Sequence, residues 1–262
     1  MLAAVASDEE LHDEVRLLRA ITASRGGVYF LGVYPPGSAD EVRQLPHYAQ
    51  DLQNEGVFAR DIEIEHPEFL AGTELCLQVL SPIVFRPNIL LVRLNEARDA
   101  VVPELLELCL RVRTALCLYA PHPEKQLGDQ GWVNVWVRDQ GPDWQLGLRL
   151  SNLDLALLLA YQSALSWKGR FRLCMAVPDP ETAARARTYL ADLMTLGRLQ
   201  AWGEALVVEG SFPDVIHQVP AADLTLLGLP REPNMAFLRD VIGTVDGSCL
   251  LVRDSGKESV LA

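Results

Sequence analysis

The sequence predicts an α/β fold made of two tandem doubly wound lobes, each built on a mostly parallel sheet. Three observations carry that expectation. Short apolar runs alternate with amphipathic stretches along the whole chain. Most of the apolar runs are hydrophobic at successive positions, as strands are when helices cover both faces of their sheet. A stretch rich in Pro, Gly and charge, Pro121 to Gly131, interrupts the series near its middle, as a connection between halves does. The lobes are therefore placed at residues 1–128 and 129–262.

The elements follow in order. Ser7-Asp-Glu-Glu10 is a capping-box pattern, with Ser7 accepting from a free backbone N–H and Glu10 reaching back to the cap. It opens an amphipathic helix to about Ser24, ended by Gly26-Gly27, and Val28 to Tyr34 reads as a buried strand. Pro35-Pro-Gly37 is a turn, and Ser38-Ala-Asp-Glu41 a second capping box before a helix to about Glu55. Pro46 inside it should kink or split that helix. Val57 to Glu65 alternates apolar with polar residues, which suggests a strand near a sheet edge. His66-Pro67 opens the next helix, with Pro at its first position, running to about Ser81 or Val84. A strand at Ile89–Leu94, a long helix from Glu96 to Thr114 and a strand at Leu116–Ala120 complete the first half.

The second half repeats the scheme. A strand at Val133–Val137 leads to an apolar helix capped by Ser151 and Asp154, and then to a strand at Arg172–Val177. Asp179-Pro180 starts a helix reaching about Leu199, followed by a strand at Ala205–Val208. Ser211-Phe-Pro-Asp214 caps a short helix ending near Val219; Leu224–Leu229 is a strand, Pro233–Val245 a helix and Ser248–Arg253 the last strand. The helix from Leu153 to Trp167 is apolar nearly all round, so either its own chain buries it or a second subunit does.

Composition excludes several function classes. At 49% hydrophobic the chain buries a substantial core, and its formal net charge of −12 repels phosphate backbones. The basic clusters are short, Arg111-Val-Arg113 and Lys168-Gly-Arg170, so nucleic acid is not an expected partner. Cys76, Cys109, Cys117, Cys174 and Cys249 sit inside apolar runs with no Cys-x-x-Cys, which reads as buried thiols in a reducing compartment. The N-terminus has no basic region of a signal peptide. The run Leu155–Leu165 is far short of the roughly 20 residues a membrane span requires.

No catalytic set stands out. Gly-x-Gly-x-x-Gly and the phosphate loop are absent, although Leu31-Gly-Val-Tyr-Pro-Pro-Gly37 follows a strand. Arg138-Asp-Gln-Gly141 and Arg253-Asp-Ser-Gly256 are charged Gly turns at strand ends, where ligands collect in such folds and where Asp139 and Asp254 would serve a small-molecule enzyme. The plain alternative is a surface turn with an Arg–Asp pair. Ser255 lacks a downstream His and a Gly-x-Ser-x-Gly elbow. His12, His47, His66, His122 and His217 stand apart from one another and from carboxylate pairs, so no metal is expected.

The ordered segments resemble the cytosolic C-terminal domain of cation–chloride cotransporters. The resemblance rests on Arg86-Pro-Asn-Ile-Leu-Leu-Val92, Val133-Asn-Val-Trp-Val-Arg-Asp-Gln-Gly141, Trp167-Lys-Gly-Arg-Phe-Arg-Leu173, Leu224-Thr-Leu-Leu-Gly-Leu-Pro230 and Leu250-Leu-Val-Arg-Asp-Ser-Gly256, in that order. Pro142-Asp143 replaces an expected second Gly, and the ending Glu258-Ser-Val-Leu-Ala262 lacks a Tyr-Ser. The family pattern also has a strand before the first helix, and this chain is expected to begin too late to contain it. The resemblance implies a fold related to universal stress proteins. It also implies a non-catalytic regulatory and dimerisation role beneath a membrane domain that moves chloride with a cation, on the cytoplasmic side of the membrane. ATP is a ligand of some members, but no ligand residue carries over. The alternative is a free-standing nucleotide-binding sensor of the stress-protein type.

Overall fold

A computed structural model of the chain describes residues 1–5, 11–22, 26–37, 44–138, 140–141, 144–147 and 150–261. Both predicted capping boxes, at 7–10 and 38–41, lie outside these residues, as do Asp139, Pro142 and Asp143. The backbone forms two compact units, Met1–Tyr119 and Ala120–Ala262.

The first unit runs β1 (Leu2–Val5), α1 (Leu11–Thr22), β2 (Gly27–Tyr34), α2 (Leu45–Asn54) and β3 (Phe58–Glu65). It continues with α3 (Phe69–Leu80), β4 (Ile89–Arg93), a 3-10 segment (Glu96–Val101), α4 (Val102–Val112) and β5 (Ala115–Ala120). Its strands lie in the order β3-β2-β1-β4-β5, all parallel. As its alternation predicts, β3 is the edge strand, with Ala59 buried between exposed Phe58 and Arg60.

Four expectations are corrected here. The strand before the first helix is present: β1 lies between β2 and β4, with Leu2 opposite both Tyr29 and Leu90. Its Leu-Ala-Ala-Val sequence has weak β-propensity, but Leu2, Ala3 and Ala4 are buried, and burial outweighs propensity in a central strand. Pro46 does not kink a longer helix; it stands in the first turn of α2, where its missing N–H has no intrahelical partner to lose. The stretch predicted as one helix from Glu96 begins as a 3-10 turn, where Asn95 Oδ1 accepts from the Arg98 N–H at 3.1 Å. Pro103 then sits at the start of α4. Similarly, His66-Pro67 forms a turn, the Glu68 N–H donating to His66 Nδ1 at 3.0 Å, and α3 starts only at Phe69.

The second unit runs β6 (Trp132–Trp136), α5 (Asn152–Trp167), β7 (Arg170–Val177), α6 (Pro180–Leu196) and β8 (Gly203–Glu209). After it come α7 (Phe212–Val215), a 3-10 turn (Ile216–Gln218), β9 (Leu224–Gly228), α8 (Met235–Thr244) and β10 (Ser248–Arg253). Its order is β10-β9-β6-β7-β8, again all parallel. The connection after β5 is tied to this unit: the His122 N–H donates to Ser248 Oγ at 3.0 Å, and that hydroxyl donates to the Gln126 carbonyl at 2.6 Å. Asp223 accepts from the N–H groups of Asp129, Gly131 and Trp132 at 3.0, 2.8 and 2.8 Å.

Helix α5 is buried by its own unit. Leu155, Ala156, Leu157, Leu159, Ala160 and Ala164 are buried, against β6, β7, β9 and β10, which settles why it is apolar nearly all round. The predicted cap divides unevenly. Ser151 makes no capping bond and has φ 53°, whereas the Asp154 carboxylate accepts from the Leu150 N–H at 2.6 Å. At the other end Lys168 closes α5 in the left-handed conformation. Gly169 follows because a Cβ there would lie 2.3 Å from the Gly131 carbonyl oxygen, a close backbone approach only glycine permits.

Candidate functional site

In the second unit the chain winds from β6 outward through β7 to β8, then returns to lay β9 on the other side of β6. The gap between β6 and β9 is the topological switch point, where an open parallel sheet offers a crevice beyond its carboxyl strand ends. A cleft of about 1340 Å³ occupies that place. Trp136 and Val137 follow from β6, Val177 and Pro178 from β7, Leu227 and Gly228 from β9, and Arg253 from β10.

Local structure fixes this lining. Asn152, at the start of α5, donates from Nδ2 to the Leu229 carbonyl at 2.9 Å and accepts the Asp254 N–H on Oδ1 at 3.1 Å. One side chain thereby holds the ends of β9 and β10 beside the helix start. The Trp136 and Phe212 rings meet edge to face, centroids 4.9 Å apart at 84°, a favourable quadrupole arrangement. The Gly210 N–H donates to the Val177 carbonyl at 2.8 Å, carrying the chain from β8 toward Phe212.

The electrostatics are one-sided. Among the described lining residues, Arg138, Arg231 and Arg253 stand against one carboxylate, the exposed Glu232. Among the described residues, Arg253 Nε is buried without a hydrogen-bond partner. An unpaired buried donor costs free energy that an incoming acceptor would recover. The described lining contains no His, Cys or Lys. It is therefore suited to holding an anionic, partly apolar molecule.

Both charged Gly turns singled out in the sequence reach this cleft, through Arg138 and Arg253. Gln140 turns back to donate to the Arg138 carbonyl at 2.6 Å. Asp254 is held above the usual carboxylate range, first by burial and then by Glu258 nearby. Ser255 is engaged by Glu258, its N–H and hydroxyl donating to the two carboxylate oxygens at 2.9 and 2.8 Å. His12, His47 and His217 are exposed; His66 and His122 accept local backbone N–H groups in turns. Among the described residues no group of three or more His, Cys, Asp or Glu could hold a metal. All five thiols are buried and outside disulfides, and burial pushes Cys76 up to about 11 and Cys109, Cys174 and Cys249 up to about 12.

Sequence reasoning missed Arg231, Asn152 and the Trp136–Phe212 pair. Their one signal was position, since each stands within two residues of a predicted strand or helix end.

Two doubly wound parallel units in tandem define an α/β protein of the class that includes universal stress proteins. The chain belongs to the prokaryotic cation–chloride cotransporter family: the model of its first C-terminal domain matches residues 3–127 and that of its second matches residues 128–261. Among solved structures, the cytoplasmic domain of a prokaryotic cation chloride cotransporter is 29% identical, with a TM-score of 0.88 over 99% of this chain and 97% of that one. A universal stress protein from Archaeoglobus fulgidus DSM 4304 shares the fold at 12% identity and a TM-score of 0.58, covering 98% of this chain and 97% of that one. So does a protein of unknown function from Pseudomonas aeruginosa PAO1, at 12% identity and a TM-score of 0.62, over 97% of this chain and 92% of that one. Comparison with curated proteins finds no significant match.

Among the described residues no helix is long and apolar enough to cross a membrane.

Proposed function

We propose that this chain is the cytoplasmic regulatory and dimerisation region of a cation–chloride cotransporter, divided into lobes 1–128 and 129–262, with ion movement carried out by a membrane domain. It does no catalysis; it couples two transport units through a two-fold contact. The observation that supports dimerisation is an apolar face on the first unit. Leu75 and Val79, one turn apart on α3, are 47% and 63% exposed. Leu110 of α4 is also exposed, beside the Arg111–Glu74 bridge of 2.6 Å that joins the two helices. An exposed apolar helix face of this kind marks an interaction surface. An apolar patch of this sort suits a two-fold contact, in which the same surface serves both subunits.

The test has two arms. Sedimentation equilibrium of the 29.0 kDa chain should give a dimer, and L75D with V79D should give a folded monomer. A wild-type monomer at tens of micromolar would remove the dimerisation role. Fractionation of cells, read with an antibody against this chain, should find the native product in membranes as a much larger species. A soluble species the size of this chain would remove the transporter.

The cleft of the second unit supports a second reading, a nucleotide-binding sensor of the stress-protein type. ATP would then raise the melting temperature of the wild type, and R253M, which lacks the unpaired Nε, would lose most of that rise. No shift with ATP in either protein would dismiss it.

A further inference from the structure

We propose that the loop joining α3 to β4 is a bilayer-contacting tip. Its occupant is the surface of the lipid membrane to which the first unit is tethered, an inference that rests on the transporter reading above. Residues 81–86 are all exposed, and Val84 and Phe85 at 91% and 70% are among the most exposed large apolar side chains described. Ile83 and Phe58 are exposed beside them. A protein of net charge −12 has ample polar surface with which to cover such a loop. Here Ser-Pro-Ile-Val-Phe-Arg puts three consecutive apolar residues outward instead.

The tip is built, not slack. The Ile83 N–H donates to the Leu80 carbonyl at 3.3 Å, and the loop is bracketed by Pro82 and a buried Pro87. Phe85 rests on Phe58 with centroids 5.6 Å apart, and Phe58 on Tyr29 at 5.5 Å. The ring series anchors Phe85 to the sheet, while Val84 has nothing over it. Such a convex knob fits a fluid apolar phase better than a preformed pocket, and Arg86 beside it can extend its guanidinium to headgroup phosphates.

Position selects the membrane over other partners. Phe58 pairs with Gly27 at the amino ends of β3 and β2, Leu2 pairs with Tyr29 and Leu90, and the loop enters β4 at Ile89. The tip therefore lies at the end of the sheet where β1 begins. In a family that carries this unit as the first part of a C-terminal domain, the membrane-bound portion precedes β1, so the polypeptide arrives at this end. Three apolar side chains would hold a free protein on lipid only weakly, but a tether raises their effective concentration at the bilayer. The acidic net charge argues for zwitterionic rather than anionic lipid as the contact.

The native thiols are all buried, so Val84→Cys can be labelled selectively with an environment-sensitive fluorophore. The chain is tethered through an N-terminal His-tag to phosphatidylcholine vesicles containing a small fraction of nickel-chelating lipid. Ala97→Cys, exposed beyond the opposite end of β4, is the reference. The expected result is a blue shift at position 84 and loss of its emission to nitroxides on the acyl chains, with neither at position 97. A label at 84 that stays quenched by aqueous iodide, or equal behaviour at both positions, overturns the tip. So does a V84D and F85D protein that changes from dimer to monomer, because the loop would then belong to a contact between copies. Cell fractionation reports separately on the transporter: lipid contact with a soluble native product sinks that reading alone, and a membrane-bound product without lipid contact sinks the tip alone.

Discussion

At the start of α5 the Asp154 side chain is 1% exposed, and its two oxygens accept from different parts of the chain. One takes the Leu150 N–H at 2.6 Å and the other the Val260 N–H at 2.8 Å, 106 residues away. The first bond was legible only in part: an Asp in the first turn of an apolar run marks a helix start, but its partner Leu150 lies ahead of the helix, so the bond is not the predicted cap. The second was not, since nothing local says that the chain end folds back over the helix start. Its removal should therefore have two effects. Asp154→Ala leaves two backbone donors without their acceptor, and about 2–3 kcal/mol of stability should go with them. Chemical denaturation would read that loss as a lower midpoint with an unchanged slope. Limited proteolysis should also cut near Val260 at lower protease concentration than in the wild type. Equal midpoints in the two proteins would show that the bonds contribute nothing net.

Helix α5 shows how an element is specified by its surroundings rather than by its own pattern. Its apolar residues run nearly all the way round, so periodicity could not say which face was inner. The structure resolves this by laying the helix along four strands of its own sheet, leaving Leu165 exposed near its end and Leu157 wholly buried. Leu157→Ala should cost about 2–5 kcal/mol, the range for a large-to-small change in a packed core. Leu165→Ala should cost about 0.5 kcal/mol or less, as surface changes do. Similar losses from both would place a partner over Leu165 and reopen this helix as an interface. The other elements divide on the same principle. β3 was legible as an edge strand because one-sided burial forces alternation. β1 was not, because a four-residue Ala-rich strand carries little signal until its neighbours bury it. The cleft was half legible: Arg138 and Arg253 stand in Gly turns that mark strand ends, while Asn152 and Arg231 act only once β9 returns beside β6.

Over the whole molecule, five thiols sit in the cores of both units, and their chemistry links folding to pH. Burial, the first cause in every case, raises Cys76 to about 11 and Cys109, Cys174 and Cys249 to about 12 from an ordinary value of 9.0. Tyr29 and Tyr189 are raised for the same leading reason. A thiol raised in the fold keeps its proton where the unfolded chain has lost it, so the folded state binds more protons between pH 9 and 12. Stability is then complete below pH 9 and falls as pH climbs through the folded values. The measurement is the urea midpoint across the alkaline range for the wild type and for C109A with C249A. The double variant should start lower, because each change opens a small cavity, and should fall less steeply above pH 9. Parallel slopes would mean that the drop comes from Tyr ionisation instead. The same burial makes a second reading available at neutral pH. A thiol reagent should modify none of the five cysteines in the native protein and all five once it is unfolded. Reaction of even one in the native state would mean that its core opens on the timescale of the assay, through local rather than global unfolding.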